Sequence, residues 1–268
     1  MQTTQYIVFS DLDATLLDHH DYSFDAAKPA LEKLKSLDIP VVLNSSKTMP
    51  EMNQIRAKMG NEYPFIVENG AAMINPPNYF ENVSGEVINF SSEYAMILKA
   101  VYALKEQGFQ FRSFDMLSAK EVSHLTGLSE AGSKMAKQRF GSEPLLWEGT
   151  EEDLQLFTQA IHAQGLKLIK GGRFYHVIGL FDKGLAIDAS RAFFEKKYPN
   201  KQIVTIGLGD SPNDLPMLET VDIAIVIKSV RSAEMKLNNT RAIFSNIEGP
   251  AGWNEEILKL LATKLSET

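Results

Sequence analysis

The chain has 268 residues, with 27 Lys and Arg against 34 Asp and Glu and a formal net charge of −7. That length allows one large core or two modest ones, and the acidic balance lacks the basic face a nucleic-acid binder needs. No cysteine is present, which excludes disulfides and thiolate metal sites. The N-terminus shows no leader pattern and no apolar run approaches a membrane span, so the expectation is a cytoplasmic protein with no membrane or nucleic-acid partner.

In chain order, the apolar run Tyr6-Ile7-Val8-Phe9 leads into Ser10-Asp11-Leu12-Asp13-Ala14-Thr15. A polar loop with His19, His20 and Asp21 follows, then a helical pattern with Leu31, Leu34 and Leu37 on one face. Val41-Val42-Leu43 ends at Asn44-Ser45-Ser46-Lys47, a helix begins near Pro50, and Phe65-Ile66-Val67 ends at Glu68-Asn69-Gly70. Short apolar runs bounded by turn residues and alternating with helices predict parallel strands joined by right-handed crossovers.

The middle breaks this rhythm. Asn75-Pro76-Pro77-Asn78 interrupts regular structure, and 83–86 reads as a turn. Residues 87–179 form a separate α/β unit by pattern, with helices at 94–105, 129–140 and 151–164 and strands at 109–114, 166–169 and 174–178. From Lys183 the alternation resumes: a helix to about Tyr198, a strand at Ile203-Val204-Thr205-Ile206, a helix near Asp214, and Ile223-Ala224-Ile225-Val226-Ile227. A closing amphipathic helix covers about 255–265. The expected architecture is thus a core of residues 1–86 and 180–268, split by an insertion at 87–179.

Ligands of open α/β sheets bind at the carboxyl ends of strands, which brings Asp11, Asp13 and Asp210 towards one point. Clustered carboxylates repel unless a cation sits among them, so a divalent metal is expected. Asp11 and Asp13 are two positions apart and would share one side of an extended strand. No phosphate loop or dinucleotide fingerprint is present: Gly207-x-Gly209 lacks the third glycine.

These clusters resemble the four motifs of the haloacid dehalogenase superfamily of phosphatases. The first is Asp11-Leu12-Asp13, with Ala14 where the family has glycine. Ser45, Lys183 and Gly209-Asp210-Ser211-Pro212-Asn213-Asp214 follow in order. The resemblance implies a Rossmann-like parallel-sheet core with an inserted α/β cap domain that confers specificity. It assigns Asp11 as the nucleophile that forms an aspartyl phosphate, and Asp13 as the general acid and base. Ser45 and Lys183 would hold the phosphoryl oxygens. Mg²⁺ would be held by Asp11, the Asp13 backbone and Asp210, with Asp214 orienting its water shell. If position 14 requires φ > 0, alanine there costs stability.

Further stretches are similar to one branch, the mannosyl-3-phosphoglycerate phosphatases. They are Asn44-Ser45-Ser46-Lys47-Thr48, Glu68-Asn69-Gly70-Ala71-Ala72, Arg139 with Ser142-Glu143-Pro144, and Gly171-Gly172-Arg173-Phe174-Tyr175-His176. The implied substrate is a small phosphorylated sugar acid, mannosyl- or glucosyl-3-phosphoglycerate, whose products resemble compatible solutes. Ser46, Lys47, Glu68, Asn69, Arg139, Ser142, Glu143, Gly171, Gly172, Arg173, His176 and Asn213 are then candidate substrate contacts. Arg139 or Arg173 would grip the carboxylate, with Glu143, Asn69 and His176 meeting hydroxyls. For each arginine, an ion pair within the protein is an equal alternative. A general sugar-phosphate phosphatase and a phosphomannomutase-like transferase are alternative activities on the same scaffold; a binding protein on an inactive phosphatase fold is disfavoured by the complete set of motif residues.

Overall fold

The structure is a computed structural model and describes residues 3–80, 86–91, 93–171, 173–238 and 242–266. Most of the expected turn at 83–86, and Gly172, lie outside these residues.

The first part of the chain forms β1 (Thr3–Ser10), α1 (Lys28–Ser36), β2 (Val41–Asn44), α2 (Met49–Met59), β3 (Phe65–Val67), β4 (Ala72–Ile74) and β5 (Val87–Asn89). The insertion contains α3 (Tyr94–Glu106), β6 (Phe111–Ser113), α4 (Ala119–Thr126), α5 (Glu130–Ala136), β7 (Ser142–Trp147), α6 (Glu151–Ala163), β8 (Lys167–Lys170) and β9 (Tyr175–Ile178). The chain then returns through α7 (Lys183–Lys197), β10 (Lys201–Gly209), α8 (Leu215–Thr220), β11 (Ile223–Lys228), β12 (Ile243–Glu248) and α9 (Gly249–Ser266).

Two sheets result. The larger has the order β12-β11-β10-β1-β2-β3-β4-β5. It is parallel from β12 to β3, and β4 and β5 add antiparallel. Chain progression reverses at β1, with β2 on one side and β10 on the other, so the switch point of the sheet lies where Asp11 emerges. The smaller sheet, β6-β7-β9-β8, is antiparallel throughout.

Alternation along β1 divides the large core. Val8 joins a cluster with Ala30 and Leu34 of α1 and Trp253, Ile257 and Leu261 of α9. Ile7 and Phe9 pack on the other face against Ala186, Ile187 and Phe194 of α7 and Met217 and Leu218 of α8. In the smaller unit, α3 and α6 cover one face of the sheet through Ile97, Val101, Phe157 and Ile161 against Phe111, Leu145 and Val177.

Several sequence-based boundaries shift. Val87–Asn89, expected to open the insertion, is instead the edge strand of the large sheet. Three residues carry too short a pattern to reveal their partner. β4, β7, β12 and α4 were not anticipated. The helix expected at 129–140 ends at Ala136, because the following residues turn to meet Glu68. The last helix starts at Gly249, earlier than the 255 expected; Pro250 falls in its first turn, where proline is tolerated. None of the described helices is long and apolar enough to cross a membrane.

Candidate active site

The register of three adjacent strands builds the site. Ser10 pairs with Leu208 of β10 and Leu43 of β2, so the residues just beyond, Asp11, Asp210 and Ser45, emerge from neighbouring strand ends. The Asp11 amide extends the ladder by donating to the Leu208 carbonyl at 2.9 Å. Ligand atoms of Asp11, Asp210 and Asp214, all buried, lie within 4.8 Å of one another.

Lys183 opens α7 and is itself buried. Asp182 caps that helix by accepting from the Gly184 and Leu185 amides, each at 3.0 Å. Lys183 Nζ then lies 2.6 Å from both Asp11 Oδ1 and Asp214 Oδ1. The other Asp214 oxygen accepts from the Asp210 and Ser211 amides at 3.1 Å. Gly209 permits this packing, since a Cβ there would stand 2.5 Å from that of Asp214. Thr15 Oγ1 donates to Asp210 Oδ1 at 3.1 Å.

The charges do not cancel. Burial, then the nearby Asp214, push the Asp11 carboxyl well above the usual range, against the pull of Lys183. Burial and Asp214 likewise push Asp210 up to about 6. Burial weakens the Lys183 ammonium, but Asp11 and Asp214 overcome this and raise it above its ordinary value. One lysine among three buried carboxylates leaves excess negative charge, and the donors are all oxygen. This set fits a hard divalent cation.

Asp13 departs from the expected strand geometry. The chain leaves β1 at Ser10, turns, and places Ala14 at φ 59°. Asp11 and Asp13 therefore do not share a strand face: Asp11 meets Lys183, whereas Asp13 Oδ2 accepts from Lys47 Nζ at 2.7 Å. The second Asp13 oxygen, Oδ1, is buried with no partner among the described residues. Position 14 does require φ > 0, so its alanine sits where the family's glycine is favoured.

Ser45 is buried, its amide donating to the Ile66 carbonyl at 3.1 Å and its hydroxyl accepting from the Lys47 amide at 3.3 Å. Glu68, Asn69 and Gly70 all have positive φ, and the Asn69 amide returns to the Ser45 carbonyl at 2.9 Å. Asn69 Oδ1 is buried without a partner among the described residues. Asn213 lies in the turn after β10, where its Oδ1 accepts from the Ser211 hydroxyl.

The candidates in and near the insertion separate into two groups. Glu68, fully buried, accepts from the Phe140 and Gly141 amides at 3.1 Å and the Ser142 hydroxyl at 2.8 Å, with Arg139 Nη1 at 3.8 Å. Arg139 also donates to the Ser46 carbonyl at 3.1 Å and Ser142 Oγ at 2.8 Å. These residues, which are among the expected substrate contacts, join the two sheet units to each other. Glu143 is likewise committed: its carboxylate accepts from Tyr94 Oη at 2.6 Å and the Asp115 amide at 2.7 Å. Period-two alternation puts it on the helix-covered face with Leu145, and burial raises its carboxyl against the Tyr94 contact. Arg173 is exposed and donates to the Leu125 carbonyl.

His176 lies on the opposite sheet face from Val177. It is buried, and its Nδ1 has no partner among the described residues. Burial, then Arg139, lower its pKa to about 3. Gly171 lies beside it, an added Cβ meeting His176 Nε2 at 3.0 Å. The residue whose contact sequence reasoning missed is Trp253, whose indole reaches Ser10 at 3.0 Å from the far end of the chain; no sequence spacing signals such a contact.

A switch-point carboxylate cluster with a buried lysine defines an α/β enzyme with a strand-end active site. The chain belongs to the haloacid dehalogenase-like hydrolases, whose family pattern matches residues 8–158. It is 38% identical over 263 residues to the glucosyl-3-phosphoglycerate/mannosyl-3-phosphoglycerate phosphatase of Persephonella marina, covering 95% of this chain and 97% of the relative. The protein of the same name from Methanococcoides burtonii is 37% identical over 96% of this chain and 97% of its own. In fold, the chain is similar to a haloacid dehalogenase-like hydrolase from Bacteroides thetaiotaomicron, with TM-score 0.69, 16% identity, and coverage of 96% of this chain and 100% of that one.

Proposed function

We propose that the protein is an Mg²⁺-dependent phosphatase that converts glucosyl- or mannosyl-3-phosphoglycerate to the glycosylglycerate and phosphate. The observation that carries the chemistry is the convergence of Asp11, Asp210, Asp214 and Lys183 within a buried cluster. The substrate class rests on likeness to relatives bearing that name along nearly their whole length.

Asp11 attacks phosphorus through a carboxylate oxygen, the ester oxygen departs, and an aspartyl phosphate forms. Asp13 gives a proton to the departing oxygen, then takes one from the water that hydrolyses the intermediate. Lys183 and Ser45 offset the charge on the transferring oxygens. Asp11, the Asp13 carbonyl and Asp210 would hold Mg²⁺, which would supply further positive charge to offset that of the phosphoryl group. Asp214, already engaged by Lys183 and two amides, serves as an outer-sphere orienting group. The insertion after β5 acts as the cap. Its His176, whose Nδ1 has no partner among the described residues, and Asn69 from the core supply polar contacts for the sugar acid, and Gly171 leaves room beside the imidazole.

The test is phosphate release across phosphorylated metabolites, including both glycosyl-phosphoglycerates, with and without a sugar bisphosphate. Asp11→Asn, nearly isosteric but a poor nucleophile, should abolish turnover and preserve the fold. Dependence on the bisphosphate would identify a mutase instead, and equal rates on all sugar phosphates would identify a general phosphatase.

A further inference from the structure

We propose that Trp253 and Ser10 are positioning residues that set the orientation of the Asp11 nucleophile from behind the sheet. This rests on the reading of Asp11 as nucleophile and goes beyond it by assigning a role to the last helix. Trp253 is the largest fully buried side chain, and its Nε1–H donates to Ser10 Oγ at 3.0 Å. Ser10 Oγ in turn donates to the Asp11 carbonyl at 2.7 Å.

The direction of this chain of bonds is forced. Indole nitrogen can only donate, so the Ser10 oxygen must accept from it, and the hydroxyl proton goes onward to Asp11. Bonds in such a series polarise one another. The Asp11 carbonyl belongs to a rigid trans peptide, so fixing its oxygen fixes the whole plane leading into Leu12. The Asp11 amide is already held by Leu208. Clamping the carbonyl on the other side of the same Cα leaves the Asp11 side chain one direction of departure, towards Lys183.

Strand alternation makes the arrangement possible. Ser10 follows Val8 onto the α9 face, while Asp11 follows Phe9 towards α7. The start of α9 is itself fixed on two sides. Gly252 lies against β12 so closely that an added Cβ would stand 2.0 Å from the Ile247 carbonyl. The next residue but one, Asn254, accepts from the Ala30 amide of α1 at 2.9 Å. Trp253 is therefore anchored between two independent contacts, and Ser10 meets Asp11 at its backbone carbonyl.

The experiment compares Trp253→Phe, Ser10→Ala, the double variant and Asn254→Ala in the full chain with Mg²⁺, using an aryl phosphate. Trp253→Phe and Ser10→Ala should each lower kcat by about tenfold with KM changed less than about twofold, as expected for a displaced nucleophile. The double variant should fall no further than Ser10→Ala, because both act through one carbonyl. Rapid-mixing measurements should place the loss in phosphoryl-enzyme formation, leaving its breakdown unchanged. Asn254→Ala, which loosens the same helix but lies outside the bond chain, should lower the melting temperature and leave kcat intact. Unchanged kcat in Ser10→Ala, additive losses, or an equal kcat loss in Asn254→Ala would overturn the assignment. Should wild-type enzyme hydrolyse no phosphate ester, the phosphatase reading fails and the proposal fails with it. Active wild type with fully active variants removes the proposal alone.

Discussion

Lys47 Nζ lies 2.7 Å from Asp13 Oδ2, joining the turn after β1 to the loop after β2. The pair explains why a lysine follows the two serines of that loop. Burial weakens the Lys47 ammonium, but Asp13 more than compensates and raises it above its ordinary value. An incoming anionic substrate would compete with Asp13 for the same ammonium.

Replacing Lys47 with Met should therefore weaken capture of anionic substrate. A charge-assisted hydrogen bond is worth about 1.5–3 kcal/mol, so kcat/KM should drop at least about tenfold on a glycosyl-3-phosphoglycerate. Steady-state kinetics on that ester and on an aryl phosphate provide the check. A change confined to thermal stability would make the pair purely structural.

Metal should be required. Chelator should abolish phosphate release and Mg²⁺ restore it, and Asp210→Ala should need far more Mg²⁺ for the same rate. Ca²⁺ should restore it poorly, since its larger radius and higher coordination number let it engage both Asp11 oxygens. Full activity in excess chelator would contradict this account of the cluster.

Glu68 and Arg139 should behave as a joint between the two sheet units rather than as substrate ligands. Glu68→Ala leaves two amides and the Ser142 hydroxyl without their acceptor and buried Arg139 without its counter-charge. Breaking a buried pair in this way costs about 3–5 kcal/mol. Urea unfolding should show that loss, with the Glu68→Ala/Arg139→Ala double variant far from additive. Arg139→Ala should also impair aryl phosphate and glycosyl-phosphoglycerate hydrolysis to the same degree. Selective loss on the natural ester would return Arg139 to the substrate.

His176 makes stability depend on acid. Its folded pKa of about 3 lies below the ordinary 6.5, so the unfolded chain binds the extra proton between these values. Unfolding free energy then falls as pH drops through this window, with a slope approaching about 1.4 kcal/mol per pH unit from this site. Above about pH 6.5 the contribution is constant. Chemical unfolding from pH 7 to 4 should give a shallower fall for His176→Gln than for wild type; parallel curves would show the imidazole is not buried in neutral form.

Ala14→Gly should stabilise the fold. Left-handed backbone costs an L-residue about 1–2 kcal/mol, and glycine's greater loss of chain entropy returns about half of that. A net gain of about 0.5–1 kcal/mol by thermal or urea unfolding is expected, with kcat little altered. A destabilised glycine variant would mean that position 14 is unstrained.

The residues of the candidate site are legible in the sequence because their signal is local. Asp11, Ser45 and Asp210 each follow a short β-branched or aliphatic run, and a parallel sheet places such positions at one edge whatever else the chain does. Lys183 was recognisable by its place in the motif series. The alternation of strand and helix likewise declares the core, since each element must bury one face. Other decisions needed the folded molecule. Three-residue strands β4 and β5 carry no period long enough to read, and their membership of the large sheet depends on edges offered by β3 and β4 in turn. The polarity of Glu68, Arg139, Ser142 and Glu143 says that they will be satisfied, but not by what. Burial across contacts of more than seventy residues' separation turned the first three into a joint between units, and strand pleating turned Glu143 towards Tyr94. The separation of Asp11 from Asp13 had the same origin: a turn with positive φ at Ala14 replaced the extended strand that spacing alone suggests. Sequence determined which groups stand at the strand ends; tertiary packing decided which partners they meet, because hydrogen-bond and charge satisfaction is settled among residues distant in the chain.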